Sequence, residues 1–309
     1  MQTTKHRRPF PYHILVFLLP ALLIYTIFMA LPLIDSLRLS LYQQFGDGST
    51  AFVGLKNFQD LLFGDLWPAR FFNALRNNFV FFSIHMLVQN PLALLLAALL
   101  TSKAVKGSTI YRTLIFTPTT LSVVIIGFIW SLILNPTWGI FDSVLRGVGL
   151  ADVIQPWLGS EKTALIVVSL ISVWQWVGLP MILFMAALIG VPEELIEAAR
   201  VDGASGWMTF WRIRFPLILP TVGIVAILTF VGNFNAFDLI YTTQGPQAVP
   251  NYATDIMGTL FYRTYYGVQL QPGNPTMGTT IAASTFLVIL AGVLLYLFVW
   301  QRQVIEKLQ

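Results

Sequence analysis

Six apolar runs, at residues 14–34, 79–100, 114–134, 163–189, 217–240 and 277–300, leave this chain few ways to fold. Each matches or exceeds the roughly 20 residues that an α-helix needs to cross a bilayer core. Within hydrocarbon a helix satisfies its own backbone groups, so proline at positions 20 and 32 is tolerable only where neighbours re-satisfy what it frees. The expected fold is an all-α integral membrane protein with six transmembrane helices. Composition agrees: 10% of residues are charged, against about 25% in an ordinary soluble domain.

Several function classes drop out early. The chain has no cysteine, which removes disulfides, thiol catalysis and cysteine metal sites. His6, His13 and His85 are scattered, so a histidine metal site is not expected. No Gly-x-x-x-x-Gly-Lys-Ser/Thr occurs, so this chain carries no P-loop for ATP. Nothing in it predicts a nucleic-acid partner.

Lys5, Arg7 and Arg8 precede the first run, as in a signal peptide. The run is too long for an h-region and lacks a small-residue cleavage site, so it reads as an uncleaved span. With the N-terminus inside, eleven of the 18 Lys and Arg fall on inner segments and seven on longer outer ones. That density difference predicts both termini in the cytoplasm. Residues 1–13 and 302–309 are then cytoplasmic tails around a membrane domain at 14–301. The outer segments carry turn signals at Gly46-Asp47-Gly48, Gly245-Pro246 and Pro272-Gly273. Trp138 and Trp157 suit headgroup depth.

The loop at 190–216 is the exception in this apolar chain. Pro192 fits a first helical position. Glu193 and Glu194 follow in the first turn, where they favour the helix dipole. Leu195, Ala198 and Ala199 fall on one face by three-and-four spacing. Asp202-Gly203 breaks the helix, and glycine tolerates a left-handed turn there. Ser205 can cap a second helix. Trp207, Phe210, Trp211 and Ile213 give that helix an apolar side, with Arg212 and Arg214 as charge, and Pro216 marks re-entry. Such a hairpin fits two roles: lying on the inner membrane surface, or docking to a cytoplasmic protein.

Glu197-Ala198-Ala199, then Gly203 after three intervening residues, then Ile213-Arg214-Phe215-Pro216 after nine more, resembles the cytoplasmic signature of permeases of bacterial binding-protein-dependent ABC importers. Phe215 replaces the family's usual leucine. Phe52 to Phe58, Asn233 to Tyr241, Thr243-Gln244-Gly245-Pro246, Ala253-Thr254-Asp255 and Phe261-Tyr262 resemble the carbohydrate-uptake, maltose-type subgroup and its first-permease branch. The resemblance implies a type I ABC importer permease fold in a bacterial inner membrane. It implies a second permease, a dimer of ATP-binding subunits that holds ATP and Mg2+, an extracytoplasmic solute-binding protein and a sugar-class substrate. This chain itself would hold no cofactor and catalyse no reaction. The loop would couple to the ATPase through Glu193, Glu194, Glu197, Ala198, Ala199, Asp202, Gly203, Ala204, Ile213 and Pro216.

Polar groups inside spans usually face a cavity or a partner helix. Span two offers His85, Gln89 and Asn90, with His85 and Gln89 on one face. Span four offers Trp174 and Trp176, of which at most one can line a cavity. Span five offers Asn233, Asn235 and Asp238. Amides and a carboxylate hydrogen-bond sugar hydroxyls, and aromatic faces take sugar C–H surfaces. The competing reading is bonding across helices for the amides and a capping or anchoring role for Asp238. Gly278 and Ala282 read as a helix-packing stripe. Disaccharides, glycosides, modified hexoses, polyols and glycerol phosphate all remain open as cargo, the last disfavoured by spans without Lys or Arg. An ion-coupled carrier is the rival from another class, disfavoured by the scarcity of mid-span charge. A membrane-embedded enzyme lacks any nucleophile–base pair.

Overall fold

A computed structural model describes residues 12–45, 48–102, 105–269 and 271–302, with side chains from residue 16 onward. The basic tail with His6, Lys5, Arg7 and Arg8, the side chain of His13, the Gly46-Asp47 pair, Lys103, and the C-terminal residues 303–309 with Lys307 lie outside what is described.

Among the described residues, four helices are long and apolar enough to cross a membrane: α1 (Val16–Leu39), α3 (Trp67–Leu100), α10 (Gly206–Phe234) and α13 (Pro275–Gln301). Two bent pairs qualify when each is taken as one unit: α4 (Ser108–Thr120) with α5 (Val123–Ile133), and α7 (Ala164–Trp176) with α8 (Gly178–Ile189). Shorter helices fill the connections: α2 (Lys56–Phe63), α6 (Ile140–Gly147), α9 (Glu193–Val201), α11 (Asp238–Gln244) and α12 (Met257–Tyr266). Two small antiparallel hairpins complete the described chain, Tyr42–Gln44 with Thr50–Phe52 and Gly267–Val268 with Gln271–Pro272.

Several expected boundaries move. The second apolar run is only the end of α3, which starts twelve residues earlier at Trp67. The fifth run is not one helix to residue 240. α10 stops at Phe234, and α11 begins after a break at Asn235–Phe237. The third run breaks at Leu121 and Ser122, which are extended, and α4 and α5 meet at 98°. The cause lies in the Thr-rich end of α4. Pro118 removes a donor, and threonine hydroxyls bond the carbonyls around the break: Thr117 donates to the Thr113 carbonyl at 2.7 Å, Thr119 to Phe116 at 2.6 Å and Thr120 to Thr117 at 2.8 Å. A helix can end at depth when its side chains take over its carbonyls. The 46° bend between α7 and α8 sits just before Pro180, which cannot donate to Trp176.

Three other prolines leave a common mark. Leu31-Pro32, Asn90-Pro91 and Phe215-Pro216 each follow a five-residue π-helical segment, Thr26–Ala30, His85–Gln89 and Phe210–Arg214. In each, the residue before proline donates five residues back: Leu31 to Thr26, Asn90 to His85, and Phe215 to Phe210. Proline has no N–H and its ring crowds the carbonyl four residues earlier, so the preceding turn widens instead of breaking. Tyr296–Gln301 is also π-helical, with no proline after it to explain it.

Three buried clusters tie the helices together. Ala93, Ala97 and Leu100 of α3 meet Met181, Phe184, Met185 and Leu188 of α8, with Ile218 and Val225 of α10. Ile126, Val168 and Ile171 pack on Leu239 and Ile240. Leu61, Phe71 and Ala74 meet Met257, Leu260, Met277 and Ile281. Gly278 lets α12 approach α13, where a Cβ would fall 2.8 Å from the Tyr265 Cβ. α1 stands apart: its side chains from Val16 to Ile34 are almost all exposed, and its main contact is α13.

Polar latches hold the connections. Asn57 donates to the carbonyls of Ser40 and Tyr42 at 2.8 and 2.9 Å, closing the chain that leaves α1. Asn73, Asn77 and Asn78 of α3 bind the segment after α11, through Tyr252, Ala253, Asp255 and Met257. Asp255 is fully buried, accepts from Thr259 and Arg263 at 2.7 Å, and makes a second bond to the same guanidinium. Arg263 also lies 4.7 Å from the centre of the Tyr252 ring. Removing one partner of such a pair leaves a bare charge. Arg263→Met should therefore cost about 3–5 kcal/mol, seen as a lower melting temperature in detergent. Adding Asp255→Asn should recover part of it.

Candidate functional site

A cavity of about 340 Å³ opens between α3, α7, α8, α10 and α11. The π segment of α3 puts His85 and Gln89 on its wall. His85 bridges two helices: Nδ1 lies 2.8 Å from the Phe81 carbonyl and Nε2 lies 3.0 Å from the Ser172 hydroxyl. Gln89 is buried, and its Oε1 has no hydrogen-bond partner among the described residues. Such an acceptor favours a ligand hydroxyl or water as its partner, because an unmade buried bond is costly. Thr229 and Asn233 of α10 and Asn235 just after it line the cavity, and Asp238 opens the first turn of α11. Asn233 donates to Thr229 O at 2.8 Å, and its own carbonyl accepts from Asn78 at 2.9 Å. Trp176 and Phe237 supply ring surface.

The candidates from the sequence thus divide. His85, Gln89, Trp176, Asn233, Asn235 and Asp238 come together on one cavity. Asn90 does not line it. Its amide donates to the Thr229 hydroxyl at 3.2 Å, a bond across helices. Trp174 packs edge-on against Trp130, ring centres 5.6 Å apart. Phe81, Ser172, Thr229 and Phe237 were not singled out in advance. Nothing in a lone apolar or hydroxyl residue marks it as lining a cavity before the helix faces are known.

The hairpin between α8 and α10 has its own construction. Pro192 sits one position before α9 rather than within it, with Glu193 and Glu194 in the first turn. The anchored face is Ile196 and Ala199, not the expected trio. Leu195 is 44% exposed, and Ala198 is exposed as well. Ile196 joins the cluster formed by α3, α8 and α10. α9 ends in a paired turn: Gly203 donates to Arg200 O at 3.1 Å, and Ala204 to Ala199 O at 2.8 Å. Gly203 holds φ +78° to make it. Ser205 accepts from Met208 N at 3.3 Å and starts α10. Glu197 is exposed and makes no bond among the described residues. Val201 and Trp207 are the most exposed apolar side chains of the hairpin, at 88% and 73%. Ile213 and Pro216 are half-buried where the chain turns into the long helix.

Residues 89–307 match the family described as binding-protein-dependent transport system inner membrane component. The chain belongs to this permease family. It is 32% identical over 278 residues to the probable ABC transporter permease protein YurN of Bacillus subtilis (strain 168), covering 89% of this chain and 90% of that protein. It is 31% identical over 302 residues to the sn-glycerol-3-phosphate transport system permease protein UgpA of Agrobacterium fabrum, covering 96% and 97%. Its fold superposes with TM-score 0.78, at 25% identity, on a chain of a bacterial ABC transporter involved in the import of the acidic polysaccharide alginate, covering 94% and 96%. The architecture is therefore the type I ABC importer permease fold. Family membership sets aside the ion-coupled carrier and the membrane-embedded enzyme.

Within the permease hairpin, a Cβ at Gly203 would meet no atom within 4 Å. The cost of replacing it is therefore backbone strain rather than collision. Gly203→Ala should cost about 1–2 kcal/mol of local stability, and Gly203→Asn less, since asparagine tolerates this turn better. Hydrogen exchange at the Ala204 amide checks both: faster in the alanine variant, intermediate in the asparagine one.

Proposed function

We propose that this permease forms, with a second permease, the pathway of an ATP-driven importer for neutral sugars or glycosides. The composition of the cavity carries the reading. Amides of Gln89, Asn233 and Asn235, the Asp238 carboxylate, the Ser172 and Thr229 hydroxyls and the rings of Trp176 and Phe237 face one space that no Lys or Arg lines. That set suits hydroxyls and C–H faces and offers an anion no counter-charge. The relatives' names point the same way: one is the arabinooligosaccharides transport system permease AraP of Bacillus subtilis (strain 168), 30% identical over 80% of this chain and 76% of its own length. UgpA favours a second reading, glycerol phosphate, and the absence of a lining cation argues against it.

In this reading each bent pair is one crossing, so the chain spans the bacterial inner membrane six times with both ends in the cytoplasm. The Lys and Arg distribution supports that orientation. ATP and Mg2+ belong to a separate ATPase pair. An extracytoplasmic binding protein delivers the solute, and nucleotide binding favours one of two packings of the permeases. α9 is the coupling helix. Ile196 and Ala199 fasten it to the permease, while Glu194, Leu195, Glu197, Ala198 and Val201 remain free to enter a groove of the ATPase. Glu197 then contacts the ATPase instead of bracing the turn.

Proteoliposomes holding both permeases and the ATPase test the cargo. A binding protein loaded with maltose, lactose or an arabino-oligosaccharide should stimulate ATP hydrolysis, and one loaded with glycerol 3-phosphate should not. Stimulation by glycerol 3-phosphate alone, or uptake driven by a proton gradient without ATP, would overturn the assignment. The chain's lack of cysteine makes the docking test clean. A single Val201→Cys should cross-link to a cysteine placed in the ATPase groove, and ATP should change the yield. Labelling only by lipid-phase reagents would return α9 to the membrane surface.

A further inference from the structure

The cavity wall does not stop at Phe237. Its ring lies 5.0 Å from Tyr241 and 5.2 Å from Tyr262, and those two phenols lie 5.1 Å apart. Tyr262 continues to Tyr266 at 5.1 Å, one turn further along α12. Phe237, Tyr241 and Tyr262 are half-buried, and Tyr266 is 65% exposed. The rings therefore run unbroken from the cavity to the surface of the segment that joins α10 to α13. Core packing does not call for this row. The buried side of α12 is built from Met257, Leu260 and Arg263, and Tyr262 and Tyr266 stand off it. Three of the four rings carry a hydroxyl. The Tyr241 phenol beside Tyr262 raises the pKa of the Tyr262 hydroxyl above its ordinary value. At its inner end stand Asn235 and Asp238.

We propose that Phe237, Tyr241, Tyr262 and Tyr266 form an aromatic track that takes sugar rings face-on between the outer surface and the cavity. This rests on the reading of the permease as a sugar importer. A pyranose presents polarised C–H bonds to the negative face of a ring and keeps its hydroxyls at the edge. Tyrosine adds contact area and a hydroxyl at small entropic cost. Ring spacings near 5 Å let a sugar unit pass from one ring to the next without full release. The track gains most for chains of several units, which touch more than one ring at once.

The test uses the intact transporter in proteoliposomes with maltotriose, lactose and arabinotriose as probes. Tyr266 is exposed, so its replacement spares the core. Tyr266→Leu should raise the KM for whichever probes the wild type takes up by about three- to tenfold, with kcat within about twofold. Tyr266→Phe, which keeps the ring, should stay near wild type, and the effect should be larger for the trisaccharides than for lactose. An unchanged KM in Tyr266→Leu overturns the track and leaves the importer reading standing. A fall in kcat shared by the leucine and phenylalanine variants also overturns it, and identifies a contact with the second permease. Wild-type uptake of none of the three probes sinks the sugar reading itself, and the track with it.

Discussion

An amide without a partner in hydrocarbon costs several kcal/mol, and this constraint shapes every helix in the molecule. Prolines sharpen it, because each removes a donor and crowds the carbonyl one turn back. The chain meets the demand in two ways. At Pro118 it stops the helix and lets threonine hydroxyls take the carbonyls. At Pro32, Pro91 and Pro216 it keeps the helix and widens the preceding turn to a five-back bond. The second solution changes which side chains face where. In α3 it sets His85 and Gln89 on the cavity wall while Asn90 turns to Thr229. In α10 it lies where the hairpin runs into the long apolar helix.

The same economy governs the polar groups. Asn57, Asn73, Asn77 and Asn78 are spent on backbone that would otherwise end unpaired. Asp255 and Arg263 neutralise one another inside the connection between α10 and α13. Gln89 Oε1 is the cavity-lining exception, buried and unpartnered among the described residues. A group left unmade in the resting structure is a natural place for a ligand to gain a bond, since the desolvation cost has already been met.

Hydropathy made the apolar runs legible, because apolar length is a one-dimensional property. The turn at Gly203 was legible too, since a helix end that needs φ near +78° favours glycine in any context. The right-angle break at Leu121–Ser122 was not. Thr-Pro-Thr-Thr is compatible with a kinked span as well as with a broken one, and the choice depends on what packs beside it. The length of α3 was missed because its first turns pack on α12 and the segment before it, where polar residues such as Asn73, Asn77 and Asn78 interrupt the apolar run of a continuous helix. The face of α9 was misassigned by one step. Leu195 and Ile196 are adjacent and equally apolar, and only the position of Val191 and Leu188 decides which one is buried. The division between Trp174 and Trp176 had the same character: period gave two faces, and packing chose between them.

Ile196 also explains how a small hairpin could matter far from itself. It is buried in the cluster that contains Leu100 of α3, Leu188 of α8 and Ile218 of α10. The same three helices line the cavity further along, through Gln89, Pro180 and Thr229. Close-packed interiors move as units rather than deforming gradually. In the proposed coupling role, a displacement of α9 would act on all three helices through this one cluster. In that role the paired turn at Gly203 and the wide turn before Pro216 would have opposite duties. The first would hold α9 against its successor. The second would give the start of α10 a wider turn than an α-helix, where the hairpin meets the long helix.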